Sequence, residues 1–136
     1  RNMEMYRSLS NVLRLGMIQS AHDCSEGGLS VSLSESCFGT DGGANIDISP
    51  LLSNNPDLSI ASVLFGESLG RILVSVTNRD AHNFEVAMRG VACLRLGNVI
   101  EDDQLLIKNV DTTILDSSVS RLKKIWQSTL DGSEKR

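Results

Sequence analysis

Ser20-Ala21-His22-Asp23-Cys24-Ser25-Glu26-Gly27-Gly28-Leu29 is the stretch whose reading decides the fold. Polar side chains with chemistry to offer crowd against a glycine pair, and a helical pattern follows at once. Ser25 or Asp23 can cap that helix by accepting from its free backbone N–H groups, while Gly27 and Gly28 permit a sharp turn or a close backbone approach. Leu29, Leu33 and Cys37 then recur every four residues, the stripe of a helix over Gly28 to Phe38. A helix start with open amides beside glycines suits an anion, so a phosphate-bearing ligand or a partner loop is one reading. A turn that serves only close packing is the other.

Working outward, residues from Asn2 to Met17 place Met5, Leu9, Val12, Leu13 and Gly16 on one helical face. Ile18 opens a short extended segment that delivers the chain to His22. After the glycine-rich 39–43 turn, Ala44 to Ile48 alternates as a strand, and Ser49 to Asp57 reads as a surface connection with a helical turn at Pro50 to Ser53. Leu58 to Leu64 is a short helix or buried run, broken by Gly66. Arg71 to Thr77 is the strongest strand signal, with Ile72, Val74 and Val76 on one face, and its two partly apolar faces predict a central position. Asn78 is predicted to cap a helix from Arg79 to Arg89 with Ala81, Phe84, Ala87 and Met88 inward and Gly90 as its stop. Val91 to Ile100 and Gln104 to Asn109 read as a hairpin joined by Glu101-Asp102-Asp103. Asp116 or Ser117 should cap a last helix carrying Val119, Leu122, Trp126 and Leu130.

This order predicts an α+β fold, a mixed, mostly antiparallel sheet covered by helices, over a single domain of residues 1–136. The 13 Lys and Arg against 17 Asp and Glu leave a net charge of −4, with no positive surplus for nucleic acid or anionic lipid. Apolar runs such as Val63-Leu64-Phe65 fall far short of the ~20 residues of a membrane span, and no leader-like segment opens the chain. Cys24, Cys37 and Cys93 are odd in number and scattered, as suits reduced thiols in the cytoplasm. With only His22 and His82 to join them, a zinc site is not expected. The chain starts at Arg1 with its first methionine at Met3, so a piece of a longer polypeptide is the expectation.

His22-Asp23-x-Ser25-Glu26-Gly27-Gly28-Leu29, followed downstream by Leu64-Phe65-Gly66-Glu67-Ser68-Leu69-Gly70-Arg71, resembles two ordered motifs of the aminoimidazole ribonucleotide synthetase superfamily, in its C-terminal domain. The Ser-Glu-Gly-Gly-Leu form is most similar to the phosphoribosylformylglycinamidine synthase family of purine biosynthesis. That resemblance implies a three-layer arrangement of helices and sheet, paired with a companion nucleotide-binding domain. It implies a complete enzyme that uses ATP, Mg²⁺ and glutamine-derived ammonia to convert formylglycinamide ribonucleotide into its amidine, with no ligand expected on this chain alone. A glutaminase subunit or domain and a small bridging subunit are the further partners it implies. Another superfamily member, such as a hydrogenase-maturation enzyme, is the alternative within the resemblance; a structural docking module is the alternative outside it.

The candidate substrate or interdomain residues are His22, Asp23, Ser25, Glu26, Gly27, Gly28, Glu67, Ser68 and Arg71. His22 beside Asp23 invites an acid–base reading, but neighbours on an extended segment face opposite sides, which favours a structural Asp23 bonded to the turn and a His22 in a polar interdomain position. Glu67-Ser68 stands at a helix-to-strand junction that can line a cleft. The resembled family carries Glu-Ser-Gln at the matching point of its sister domain; Leu69 here has no amide, which favours a structural Glu67 bonded to turn amides or paired with Arg71. A serine-hydrolase elbow and a Walker-type lysine loop are both missing, so no catalytic residue is named for the chain itself. Arg121, Lys123 and Lys124 read as a solvated helix face. The two motif stretches, about forty positions apart, are expected to converge on one exposed face, through which the chain is also expected to self-associate.

Overall fold

In a computed structural model, residues 2–24, 27–38, 42–66 and 71–134 are described, with the side chains of 2, 126 and 129–134 left aside. The elements run α1 (Asn2–Arg14), β1 (Ile18–Asp23), α2 (Gly28–Phe38), β2 (Gly43–Asp47), α3 (Ser49–Asn54), α4 (Ile60–Phe65), β3 (Ile72–Val76), α5 (Ala81–Ala87), β4 (Gly97–Ile100), β5 (Leu105–Asn109), β6 (Thr112–Ser117) and α6 (Val119–Glu134). The α+β reading holds, and α2 has the bounds its stripe predicts. Leu29, Leu33 and Cys37 are all buried. Burying a leucine of this kind contributes about 1.5–3 kcal/mol, so the stripe is a large part of what seats the helix. Its serines satisfy themselves locally: Ser34 and Ser36 donate to the carbonyls of Ser30 and Ser32, four residues back, at 2.8 and 2.7 Å.

The strands form two sheets where the sequence predicts one. β1 and β3 make an antiparallel ribbon, and the other sheet runs β4-β2-β5-β6. β3 is therefore not central, and every residue of it is half-buried. Its two apolar faces have a different origin. Leu73 packs into the main core with Cys24, Leu29 and Leu33, while Val74 and Val76, on the alternate face, pack with Val12 of α1, Phe84 of α5 and Met88 just beyond it. Helices cover the ribbon on both sides, which gives the apolar signature of a central strand without a third strand. Leu13, predicted inward on α1, is half exposed, because the buried side of that helix centres on Val12.

The predicted hairpin between β4 and β5 does not form. β2 lies between them, antiparallel to β4 and parallel to β5. Gly43 lets β2 enter there, since a Cβ at that position would run into the carbonyl oxygen of Gln104. The acidic connection has other work: the Asp103 carboxylate accepts from the Ser120 N–H at 3.0 Å and its hydroxyl at 2.7 Å, at the start of α6. Ser118, rather than Asp116 or Ser117, supplies the local cap, accepting from the Arg121 N–H at 3.1 Å. Only Gly97–Ile100 of the predicted 91–100 strand is a strand. α5 begins later than Asn78 predicts, because Thr77 accepts from the Asp80 N–H at 3.3 Å and donates its hydroxyl to the Asp80 carboxylate at 3.2 Å, closing a turn first. Strand β6, missed in sequence, pairs with β5 through a turn at Val110, whose φ of 57° is left-handed.

The main core joins β2, β5, α2, α4 and α6 through Ile46, Ile48, Val63, Leu105, Ile107 and Val119. Arg121, Lys123 and Lys124 are exposed on α6 as expected; the side chains of Trp126 and Leu130 lie outside the described residues.

Two outcomes test this packing. Gly28 has φ of +75°, and a Cβ on it would stand 2.7 Å from the Leu64 carbonyl oxygen and 2.9 Å from the Phe65 Cα. Gly28→Ala is thus expected to destabilise the chain by about 2–4 kcal/mol in urea unfolding, and a change near zero would contradict the contact. The Asp47 carboxylate accepts N–H groups from Ser49 at 2.9 Å and Val110 at 3.2 Å, which hold its carboxyl below the ordinary value. A lowered folded-state value means that its stabilisation is complete above the unfolded carboxyl, about pH 4, and is lost as pH falls through the folded one. The urea midpoint of Asp47→Ala should therefore lie below that of the native chain at pH 7, with the gap narrowing below pH ~4.

Candidate functional site

β1 delivers the motif to its place by backbone pairing with β3. His22 stands opposite Leu73 and Asp23 opposite Ile72. One position further, the Cys24 N–H donates to the Arg71 carbonyl at 3.0 Å, with Cys24 only 2% exposed. Where they are described, the two motif stretches therefore converge, and the pairing itself is what joins Cys24 to Arg71. Ser20 and Ser75 hydroxyls meet at 2.6 Å further along the same ribbon.

The alternation of β1 sends His22 and Asp23 to opposite faces, His22 half-buried and Asp23 exposed. By register His22 shares its side with Leu73, the face toward α2, and Arg71, half-buried, continues that side one step beyond the strand. Neighbouring in sequence, His22 and Asp23 are thereby kept from acting as an imidazole–carboxylate pair.

Gly27 and Gly28, with φ of 73° and 75°, turn the chain from the end of β1 into α2. The Ser32 hydroxyl, 3% exposed, donates to the Asp23 carbonyl at 3.1 Å and ties the first turns of α2 to the strand end. On the other side, the backbone of Leu64 and Phe65 at the end of α4 lies against Gly28. Four element ends thus meet: the last residues of β1 and α4, the first of α2 and β3. Such a meeting of loop-bearing ends is where side chains of different elements can act on one ligand.

Of the nine candidates, His22, Gly27, Gly28 and Arg71 are brought together here and Asp23 stands beside them on the opposite face of the ribbon, whereas Ser25, Glu26, Glu67 and Ser68 lie outside the described residues. Phe65, not singled out in sequence, is 63% exposed at this junction. Its signal was its place just before the Gly66 break, where a helix ends and the next side chain has no core to enter. Among the described residues no three His, Cys, Asp or Glu side chains group so as to hold a metal ion. The Cys37 thiol, away on the buried stripe, is pushed up by burial and so is held in its unreactive form. No helix among the described residues is long and apolar enough to cross a membrane.

Comparison with known proteins agrees with this geometry. Residues 1–108 match the family described as AIR synthase related protein, C-terminal domain. Subunit PurL of phosphoribosylformylglycinamidine synthase from Lactobacillus acidophilus is 41% identical over 122 residues, 90% of this chain and 15% of that protein. The same subunit from Limosilactobacillus fermentum is 34% identical over 93% of this chain and 16% of its own length. The chain thus spans about 15% of the length of the curated relatives it matches. Among solved structures, Thermotoga maritima PurL complexed with FGAR superposes with a TM-score of 0.78 at 20% identity, over 89% of this chain and 20% of that one. PurLQS from the same organism gives a TM-score of 0.75 at 20% identity, over 87% and 21%. Strand β6 and helix α6 lie beyond the matched 1–108, yet β6 completes the sheet beside β5 and Val119 of α6 enters the same core. The chain belongs to the family of AIR synthase related proteins, whose C-terminal domain it matches over most of its length, and within that family it is similar to subunit PurL.

Proposed function

We propose that the chain serves as the C-terminal domain, residues 1–136, of a synthetase that converts formylglycinamide ribonucleotide to formylglycinamidine ribonucleotide in purine biosynthesis. In this reading ATP phosphorylates the amide oxygen of the substrate, and ammonia derived from glutamine displaces the phosphate. The observation that carries it is the junction: β1 paired with β3 brings His22, Asp23 and Arg71 to the glycine turn that starts α2. A cationic side chain, an imidazole and a helix start suit an anionic ribonucleotide better than they suit a metal ion. Ser25, Glu26, Glu67 and Ser68 are assigned to substrate or interdomain contact from the motifs they belong to. Asp23 is the one described carboxylate in this set, so Mg²⁺ and ATP are assigned to the companion nucleotide-binding domain. The work is assigned to the cytoplasm, in keeping with three cysteines that form no disulfide among the described residues. A glutaminase partner and a small bridging subunit belong to this reading by resemblance; self-association of the chain in isolation belongs to it through the face that the companion domain would otherwise cover.

The second reading, a docking module that supports neighbouring domains and touches no substrate, has its own support. Met3, Tyr6, Leu13 and Leu15 of the α1 region are 49–67% exposed, more apolar surface than one short segment usually leaves in water.

Grafting separates the two. The chain replaces its matching segment in Lactobacillus acidophilus PurL, and turnover is followed with ATP, formylglycinamide ribonucleotide and ammonia. The graft should be active, and Asp23→Asn or Glu67→Gln in it should lower kcat by roughly a hundredfold with the melting temperature unchanged. Unchanged kcat in both variants, with assembly impaired instead, would favour docking. A folded, assembled graft with no turnover would overturn the enzymatic reading, as would near-native turnover by the isolated chain.

A further inference from the structure

A cleft of about 240 Å³ opens between α1 and the turn after α5, lined by Glu4, Arg7, Ser8, Arg89, Gly90 and Val91. It stands on the α1–α5 side of the β1–β3 ribbon, opposite the face that α2 covers, so it is not part of the junction around Gly28. Two guanidinium groups and one carboxylate line it, a local positive excess on a chain whose net charge is −4. Among the described residues the one ion pair is Arg79 with Asp80, so neither Arg7 nor Arg89 is held in an ion pair there. Both are exposed.

The backbone adds to this. The N–H groups of Arg89 and Val91 donate to the carbonyls of Val86 and Met88, whereas that of Gly90 has no backbone acceptor among the described residues. Gly90 itself turns with φ of 87° and lines the cleft. The Ser8 side chain, half-buried on α1, stands in the same lining. Two arginines and a serine line one opening, and donors of these kinds are what a tetrahedral or bidentate anion takes up, arginine being suited to both. Glu4 is the one group there that opposes it.

We propose that this cleft binds a small phosphate- or carboxylate-bearing anion, with Arg7 and Arg89 as its principal donors. The proposal stands apart from the synthetase reading and is tested on the chain alone. Amide NMR spectra are recorded while sodium phosphate, or sodium malonate, is added against sodium chloride at matched ionic strength. Saturable shifts confined to the neighbourhood of Arg7, Ser8, Gly90 and Val91 are expected. Tighter binding of phosphate assigns the site to phosphate esters, and tighter binding of malonate to carboxylates. Arg89→Gln and Arg7→Gln, both at exposed positions and checked by unchanged melting, should each weaken binding about tenfold, the scale of losing hydrogen bonds to a charged group. Glu4→Gln should move it the other way, tightening binding several-fold by removing a like charge. Shifts that rise without saturation, chloride acting as well as either anion, or affinity unchanged in both arginine variants would overturn the proposal.

Discussion

Everything around the candidate site depends on the absence of one side chain. Gly28 begins α2 with its backbone against the last carbonyls of α4, at a distance where no Cβ fits. That contact sets how deep α2 sits. Depth decides whether Leu29, Leu33 and Cys37 reach the core shared with β2 and β5, and whether the Ser32 hydroxyl reaches the Asp23 carbonyl. Because β1 is pinned to β3 by its ladder, fixing α2 against α4 also fixes the turn that carries the motif. Packing and site are thus one constraint, in line with a rigid scaffold presenting polar residues on its connecting segments.

The ribbon explains how two motifs distant in sequence come to lie side by side. Backbone hydrogen bonds between β1 and β3 carry no residue preference, so they tolerate the exposed and half-exposed polar residues that a substrate-facing surface needs. The stabilisation comes from the two flanking helical layers, Leu73 on one side and Val74 and Val76 on the other. A two-stranded ribbon alone is marginal in water, and helices on both faces supply what further strands would otherwise give.

What was legible in the sequence followed from short-range rules. α2 declared itself by its stripe despite alternating serines that mimic a strand, because Leu29, Leu33 and Cys37 recur at four while Ser34 and Ser36 are satisfied by carbonyls one turn back. The convergence of the motifs was legible too, since each abuts a regular element and neither could be buried alone. Sheet order was not. Whether β4 pairs with β5 or admits β2 is decided by long-range fit at Gly43 and by the call on Asp103 to cap α6, neither of which is local. Strand β6 escaped because its turn places a β-branched residue, Val110, in left-handed conformation, where turn rules expect glycine or asparagine; the Asp47 carboxylate, sixty-three positions away, holds that turn through the Val110 N–H. Of the site, the faces of His22 and Asp23 followed from strand alternation, while the cleft at Arg7 and Arg89 depends on two helices meeting and left no trace in either motif.

The central claim is that the two motif stretches form one substrate-facing surface. Hydrogen–deuterium exchange of the grafted synthetase, with and without formylglycinamide ribonucleotide and ATP, tests it most directly. The account predicts that amides of 22–28 and of 66–72 slow together when ligands are added, while those of α6 do not change. Protection of neither stretch, or of one without the other, would contradict it.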